Sequence, residues 1–344
     1  MNKRMLMRRI NPLPFVPSDP AQLTYHCRRT LDIQKLGLVG RLRSVYAATK
    51  SQKVIVNLSG GRDSVLAFLV TVLAYDYLGW DRANILAVSL PAWGTDDATH
   101  EISLQLPIVM KTGFWESEVV TAAEAIIRAT GHEPCHNCLT CENGLARART
   151  NVGMTLGFLV GTGDMSEGFK GWCTFGGDQI SMYNPNASVP KTLVSFLLRQ
   201  IVTDNLLGAA ANVQINNTLA QEITPGLIEI QTEIIQKTED IIGPYELTDK
   251  FMEAIVRNLH SPKKVFYLAC LAFEDKYDLE TVYKWLEDGY RRTYGSQFKR
   301  QAVPDTAKVG FSLDPRGDYR MPSDAPLPTS LRRELAELKA LIAS

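Results

Sequence analysis

The chain has 344 residues, 45% hydrophobic and 22% charged, enough for a large core in one elaborated domain or two. Lys plus Arg and Asp plus Glu both number 37, so the net charge is zero and no basic excess argues for general nucleic-acid binding. No apolar run reaches the length of a membrane span. Six unevenly spaced cysteines favour metal or redox chemistry in a reducing compartment over a disulfide framework, so a cytoplasmic location is expected.

The basic start, Met-Asn-Lys-Arg-Met-Leu-Met-Arg-Arg, is followed by no long apolar stretch and reads as a solvated arm rather than a signal peptide. Residues 10–20 carry four prolines and read as an extended lead-in. The expected organisation is an N-terminal arm over residues 1–30 and a single domain over 31–344. Its core spans about 50–260, with a helical and irregular part over 261–344. Leu31 to Thr49 has helical apolar spacing. Lys53-Val-Ile-Val-Asn-Leu58 predicts a buried strand. Ser59-Gly-Gly-Arg-Asp-Ser64 follows directly, and its two glycines allow a tight turn with close approach of a ligand. From Asp63 the chain predicts a helix capped by Asp or Ser. A strand, a Gly-Gly turn and a helix N-terminus together make an anion site, because free N–H groups and the helix dipole converge there.

Asn84-Ile-Leu-Ala-Val-Ser-Leu-Pro91 predicts a second strand, ending in the polar loop Trp93-Gly-Thr-Asp-Asp97. Residues 98–130 mix helix with a third strand. Gly157-Phe-Leu-Val-Gly161 predicts a fourth, running into Thr162-Gly-Asp-Met-Ser-Glu167. Strands alternating with helices imply an α/β fold with a doubly wound parallel sheet. Both glycine loops leave carboxyl ends of strands, where such sheets bind ligands, so both can face one crevice. From about residue 190 the pattern is mostly helical. The tail after Gln301 is irregular, with a last amphipathic helix from Leu331.

The segment Ser-Gly-Gly-x-Asp-Ser resembles the pyrophosphate loop of ATP pyrophosphatases, and lacks the Gly-Lys-Ser/Thr of the common P-loop. Further segments follow in order: Gly161 to Gly168, Gly177 to Asn184, Asn186 to Leu193, Gln236 to Leu247, Ser261-Pro-Lys-Lys264, Ser296 to Arg300 and Pro315 to Asp324. From Gln34 to Asp324 this ordered set resembles the NAD synthetase family, closest to the synthetase module of its large, glutamine-dependent type. The resemblance implies a sheet of the adenine-nucleotide α-hydrolase, or pyrophosphatase-loop, type with helical C-terminal additions. It implies a reaction in which ATP adenylates the nicotinate carboxylate of deamido-NAD, pyrophosphate leaves, and ammonia displaces AMP to give the amide. It implies a homodimer as well.

Carried onto this sequence, the family pattern places ATP at Ser59, Gly60, Gly61, Asp63, Ser64, Leu90, Thr162, Lys191 and Thr224. Asp63 and Lys191 are the expected catalytic residues, and Asp63 and Glu167 the expected Mg²⁺ ligands, being hard oxygen donors. Arg147, Asp178 and Lys299 fall at substrate-binding positions; Asp178 could equally close a loop, and Arg300 beside Lys299 could be a surface cation. About fifty residues precede the first strand, too few for the glutaminase domain of the large enzymes. The expected nitrogen source is therefore free ammonia or a separate glutaminase subunit.

A second departure is Cys135-His-Asn-Cys-Leu-Thr-Cys141, whose three thiolates suit Zn²⁺ or an iron–sulfur cluster. A fourth ligand could be His132, His136, Cys173 or an exchangeable group. The adjoining Glu142-Asn-Gly-Leu-Ala-Arg-Ala-Arg149 resembles the family's substrate helix, with Leu145 where Gln is usual. The cluster also supports an alternative: a pyrophosphatase-loop enzyme that adenylates another carbonyl for sulfur or nitrogen insertion. Cys27 and Cys270 read as core cysteines.

Overall fold

The computed structural model describes residues 9–221 and 238–343. Helix α1 (Pro20–Thr49) starts where Asp19 accepts the N–H of Gln22 and a proline supplies the first helical φ. It begins eleven residues before the apolar stripe from Leu31 suggests, and the earlier turns bury Cys27 against the core. Strand β1 (Val54–Asn57) and helix α2 (Arg62–Leu78) follow. Strand β2 (Ile85–Ser89), α3 (Asp97–Met110), β3 (Gly113–Glu116), α4 (Val120–Arg128), α5 (Leu139–Leu156) and β4 (Phe158–Val160) complete the alternating part. The chain then runs through α6 (Met165–Lys170), α7 (Lys191–Thr203), α8 (Ala209–Ala220), α9 (Thr238–Ile242), α10 (Tyr245–Met252), α11 (Pro262–Ala272), α12 (Leu279–Gly295), α13 (Gln297–Arg300) and α14 (Thr329–Ile342).

The four strands are parallel in the order β3-β2-β1-β4. Alternate residues of β1 face opposite ways, so Val54 and Val56 join one core while Ile55 joins another. The first core also holds Leu38 of α1, Phe68 and Leu69 of α2, and Leu197 of α7. The second lies under α4 and α5, with Ala123, Leu145 and Ala148. The C-terminal helices bury a third cluster around Phe169, Phe251, Phe266 and Leu286. The fold is the expected α/β doubly wound sheet with helical additions. Because the chain builds outward from β1 to β3 and returns to β4 on the other flank, the loops after β1 and β4 diverge and open a crevice. Among the described residues no helix is long and apolar enough to cross a membrane.

Three local expectations are corrected. Helix α2 is capped by Gly61, not by Asp63 or Ser64; Asp63 sits within its first turn. Arg300 is buried rather than a surface cation: its guanidinium bonds the carbonyls of Gly168 and Phe169, both at 3.1 Å, at the end of α6. Cys270 is only partly buried, against the third cluster, whereas Cys27 is a core residue.

Candidate active site

Residues from the carboxyl ends of β1, β2 and β4 line a cleft of about 880 Å³. That volume is toward the top of the range of ordinary small-molecule sites. Ser59, Gly61, Asp63, Leu90, Thr162, Glu167 and Lys191 all line it, as do Arg147, Asp178 and Lys299. Ten of the expected site residues, dispersed through the sequence, therefore meet in one cavity. Thr224 lies outside the described residues.

The Gly60-Gly61 turn is built from within. Gly60 has φ +83°, and a Cβ there would lie 1.9 Å from the carbonyl oxygen of Thr99, so only glycine fits. Ser64 does not line the cleft. Its hydroxyl donates to the Gly61 carbonyl (2.9 Å) and accepts the N–H of Ser59 (3.2 Å), which closes the turn. Asn186 donates to the carbonyls of Asp63 (2.8 Å) and Thr162 (3.1 Å), tying the loop after β1 to the loop after β4. Gln34 of α1, fully buried, donates in turn to Asn186 Oδ1 at 3.0 Å.

At the floor, Lys191 Nζ lies 2.5 Å from Asp63 Oδ2, 2.8 Å from Asp164 Oδ2 and 2.8 Å from Glu167 Oε1. The Tyr245 ring stands 5.1 Å from the same nitrogen. Burial alone would lower the Lys191 pKa, but Asp164, Asp63 and Glu167 outweigh it and hold the ammonium well above its ordinary value. Burial and mutual repulsion hold Asp63 and Glu167 above the usual carboxylate range. Position is set from below. The Lys191 N–H donates to Ser166 Oγ (2.8 Å), and that hydroxyl donates to the buried Asp249. Asp249 also accepts the N–H and hydroxyl of Thr192, at 3.1 and 2.6 Å. Burial pushes Asp249 up to about 7 despite these bonds.

One oxygen each of Asp63, Asp164 and Glu167 lie within 4.8 Å of one another. Among the described residues Asp63 Oδ1 is buried without a hydrogen-bond partner. A hard-oxygen set with a spare buried lone pair fits Mg²⁺. Asp164 was not singled out from the sequence. It caps α6, accepting the N–H groups of Ser166 and Glu167, and that local signal hides its second oxygen.

On the opposite wall Arg147 is exposed and donates to the Phe175 carbonyl at 3.3 Å. Arg149, also in the cleft lining, reaches the Leu90 carbonyl at 3.1 Å and Thr95 Oγ1 at 3.4 Å. Asp178 accepts the N–H of Thr174 (2.8 Å) and so closes a loop while lining the cleft. Lys299 donates to the carbonyls of Gly171 and Cys173, at 2.8 and 2.6 Å. Beside this wall, Cys135, Cys138 and Cys141 converge with His132. His136 pairs with Glu124 (3.1 Å), and Cys173 is not in the group.

A family model described as NAD synthase matches residues 37–269. The chain belongs to the NAD synthase family. The glutamine-dependent NAD(+) synthetase of Mycobacterium tuberculosis is 36% identical over 349 residues, covering 93% of this chain and 51% of that protein. The one from Synechocystis is 26% identical over 281 residues, 78% of this chain and 45% of its own. The chain spans about half the length of the curated relatives it matches. Among solved structures, a glutamine-dependent NAD(+) synthetase from Cytophaga hutchinsonii superposes with TM-score 0.71 at 19% identity, over 91% of this chain and 56% of that one. An NH3-dependent NAD synthetase from Campylobacter jejuni gives 0.51 at 19%, over 80% and 95%. These likenesses establish the family fold.

Proposed function

We propose that the cleft uses ATP to amidate the nicotinate carboxylate of deamido-NAD with ammonia, forming NAD, AMP and pyrophosphate. The observation that carries this reading is the convergence of Asp63, Glu167 and Lys191 below the Gly60-Gly61 turn, in a chain of the NAD synthase family. The carboxylate oxygen attacks the α-phosphorus, the bond to pyrophosphate breaks, ammonia adds to the acyl carbon, and AMP departs with the former carboxylate oxygen. Ser59, Gly61 and the first turn of α2 bind the leaving pyrophosphate through N–H groups and the helix dipole. Lys191 supplies a positive charge to the phosphates as that charge develops. Asp63, Glu167 and Asp164 would hold Mg²⁺, which when bound neutralises charge on the polyphosphate. Leu90 and Thr162 in the cleft lining are assigned to ATP, and Arg147, Asp178 and Lys299 in the same lining to the dinucleotide.

The alternative, sulfur or nitrogen insertion through a metal cluster, is not favoured. Cys135, Cys138 and Cys141 do not line the cleft, so they have no reach to an adenylated carbonyl there. The six free cysteines suit a reducing compartment, which supports a cytoplasmic enzyme. A homodimer follows from the family resemblance; light scattering at micromolar concentration should give twice the chain mass, and a stable monomer would refute it.

Incubation with deamido-NAD, ATP, Mg²⁺ and ammonium should yield NAD and AMP in equal amounts. Glutamine in place of ammonium tests which nitrogen donor the chain accepts. AMP and pyrophosphate without amide would overturn the proposal.

A further inference from the structure

His132, Cys135, Cys138 and Cys141 recur at intervals of three, and their ligand atoms all lie within 4.8 Å of one another. From this juxtaposition we propose that the four side chains bind one zinc ion as a Cys3His site. The site pins the first turn of α5 to the preceding loop and so positions the wall that α5 presents to the cleft.

Two of the ligand-atom separations match the edges of one zinc tetrahedron and a third is somewhat shorter. Zinc binds thiolate sulfur at about 2.3 Å and imidazole nitrogen at about 2.0–2.1 Å, so ideal edges are about 3.8 Å between sulfurs and about 3.6 Å between sulfur and nitrogen. Cys135 Sγ and Cys141 Sγ are 3.8 Å apart. His132 Nε2 lies 3.7 Å from Cys135 Sγ and 3.2 Å from Cys138 Sγ. A 4Fe–4S cluster gives each iron its own cysteine and a 2Fe–2S cluster divides four ligands between two irons, so either sets ligands on different irons farther apart than one tetrahedral edge, whereas here all four lie within 4.8 Å of one another. Three thiolates with one imidazole is also a familiar donor set of structural zinc.

The surroundings suit thiolates. Cys138 is the N-cap of α5 and Cys141 lies in its first turn, where the helix dipole favours negative charge. The N–H of Cys135 donates to Cys141 Sγ at 3.4 Å. The neighbouring His136 is otherwise engaged: it pairs with Glu124 of α4 and stacks on Trp93, with ring centroids 4.3 Å apart and planes 12° from parallel. The loop thus links α4, α5 and the segment after β2.

What the site would position is visible from α5. Its residues Glu142, Asn143, Ala146 and Arg147 line the cleft. Asn143 Oδ1 accepts the hydroxyl of Thr174 (2.8 Å), and Arg147 holds the Phe175 carbonyl. A shift of the helix start would therefore move both sides of this wall.

The test uses the full chain purified anaerobically with zinc supplied. Expected are a colourless protein with about one zinc per chain and, after exchange into Co²⁺, the visible absorption of a tetrahedral thiolate site. His132→Ala should release zinc to a chelator at concentrations lower by at least about tenfold, and His132→Cys should restore retention. Cys138→Ser should lose the ion and melt earlier; if it fails to fold, the His132 pair still decides. Iron with sulfide, no metal in replete protein, or zinc retention unchanged in His132→Ala would each overturn the proposal. A final arm rests on the activity proposed above: His132→Ala should raise KM for deamido-NAD more than KM for ATP. An equal change in both would overturn the positioning role. The metal measurements need no activity, so failure of the site and failure of the proposed reaction are distinguishable.

Discussion

Lys191 and Asp63 meet at 2.5 Å although each stands in the first turn of its own helix, α7 and α2. Two positive helix ends and an ammonium are thus gathered at one point. Three carboxylates offset them in the structure described here. A polyphosphate is the kind of ligand that such a cradle favours.

Lys191→Met removes the shared counter-ion and leaves Asp63, Asp164 and Glu167 facing one another. Turnover should fall by at least about 100-fold, since one preorganised charge contact to the transition state is worth that much. The variant should also melt earlier than the parent without Mg²⁺, and gain more from added Mg²⁺ than the parent does. Steady-state kinetics and thermal scans at several Mg²⁺ concentrations measure both effects.

Asp63→Asn and Glu167→Gln should separate activity from stability. Each removes a carboxylate charge proposed to hold Mg²⁺, at constant volume, so turnover should drop more than about tenfold. Burial and crowding already disfavour the ionised forms, so neither amide should lower the melting temperature. Near-parental turnover in both would show that the carboxylates hold no catalytic metal.

Gly60→Ala should be severe for a geometric reason. The new Cβ meets the Thr99 carbonyl, which is backbone and has nowhere to go, at a φ that alanine rarely adopts. A loss of about 2–3 kcal/mol in urea unfolding is expected, with ATP binding weakened in calorimetry. Gly61→Ala meets only the Ser59 side chain at 3.6 Å and should be milder.

Lys170 gives a pH signature remote from the cleft. Its side chain is fully buried, 3.1 Å from Asp288, with Arg291 and Arg292 sharing that carboxylate and the Trp285 ring 5.9 Å away. Burial, only partly offset by Asp288, lowers it from 10.5 to about 8. Between those values the unfolded chain binds more protons than the folded one, so stability rises with pH across that window. Relative to Lys170→Met, the parent should gain about 3 kcal/mol between pH 7.5 and 10.5. Parallel slopes for the two proteins would show that Lys170 does not titrate there.

The Gly60-Gly61 turn was legible because strand, glycines and helix are consecutive in sequence and each has a local signal. Strands β1, β2 and β4 were legible because a sheet covered on both faces needs unbroken apolar runs, whereas β3, at the sheet edge and mostly exposed, has none and was expected only somewhere within residues 98–130. Asp164 was missed because a capping aspartate looks complete in itself. Asp249 was missed because its partners, Ser166 and Thr192, lie far from it in the chain. Arg300 misled because a Lys-Arg pair at a helix end usually faces water, whereas here its fork reaches the carbonyls at the end of α6. The choice of His132 over His136 depended on where the loop turns: His136 takes a positive φ of 62°, and its ring pairs with Glu124 and stacks on Trp93.

Gln34 has a consequence for what counts as the smallest working unit. The match to the family model begins at residue 37, yet the amide that grips Asn186 lies before it. A protein trimmed to the matched span would keep Asp63, Asp164, Glu167 and Lys191 but lose Lys299 from the cleft lining. It would also lose the outer brace of Asn186, which joins the loops after β1 and β4, and would bare the core side chains packed under α1. The span matched by the family model and the span that packs together are therefore different lengths of chain: Val16 and Cys27 reach the first core, Phe15 meets Phe311, and Asp19 caps α1, so the packed unit starts ahead of Pro20.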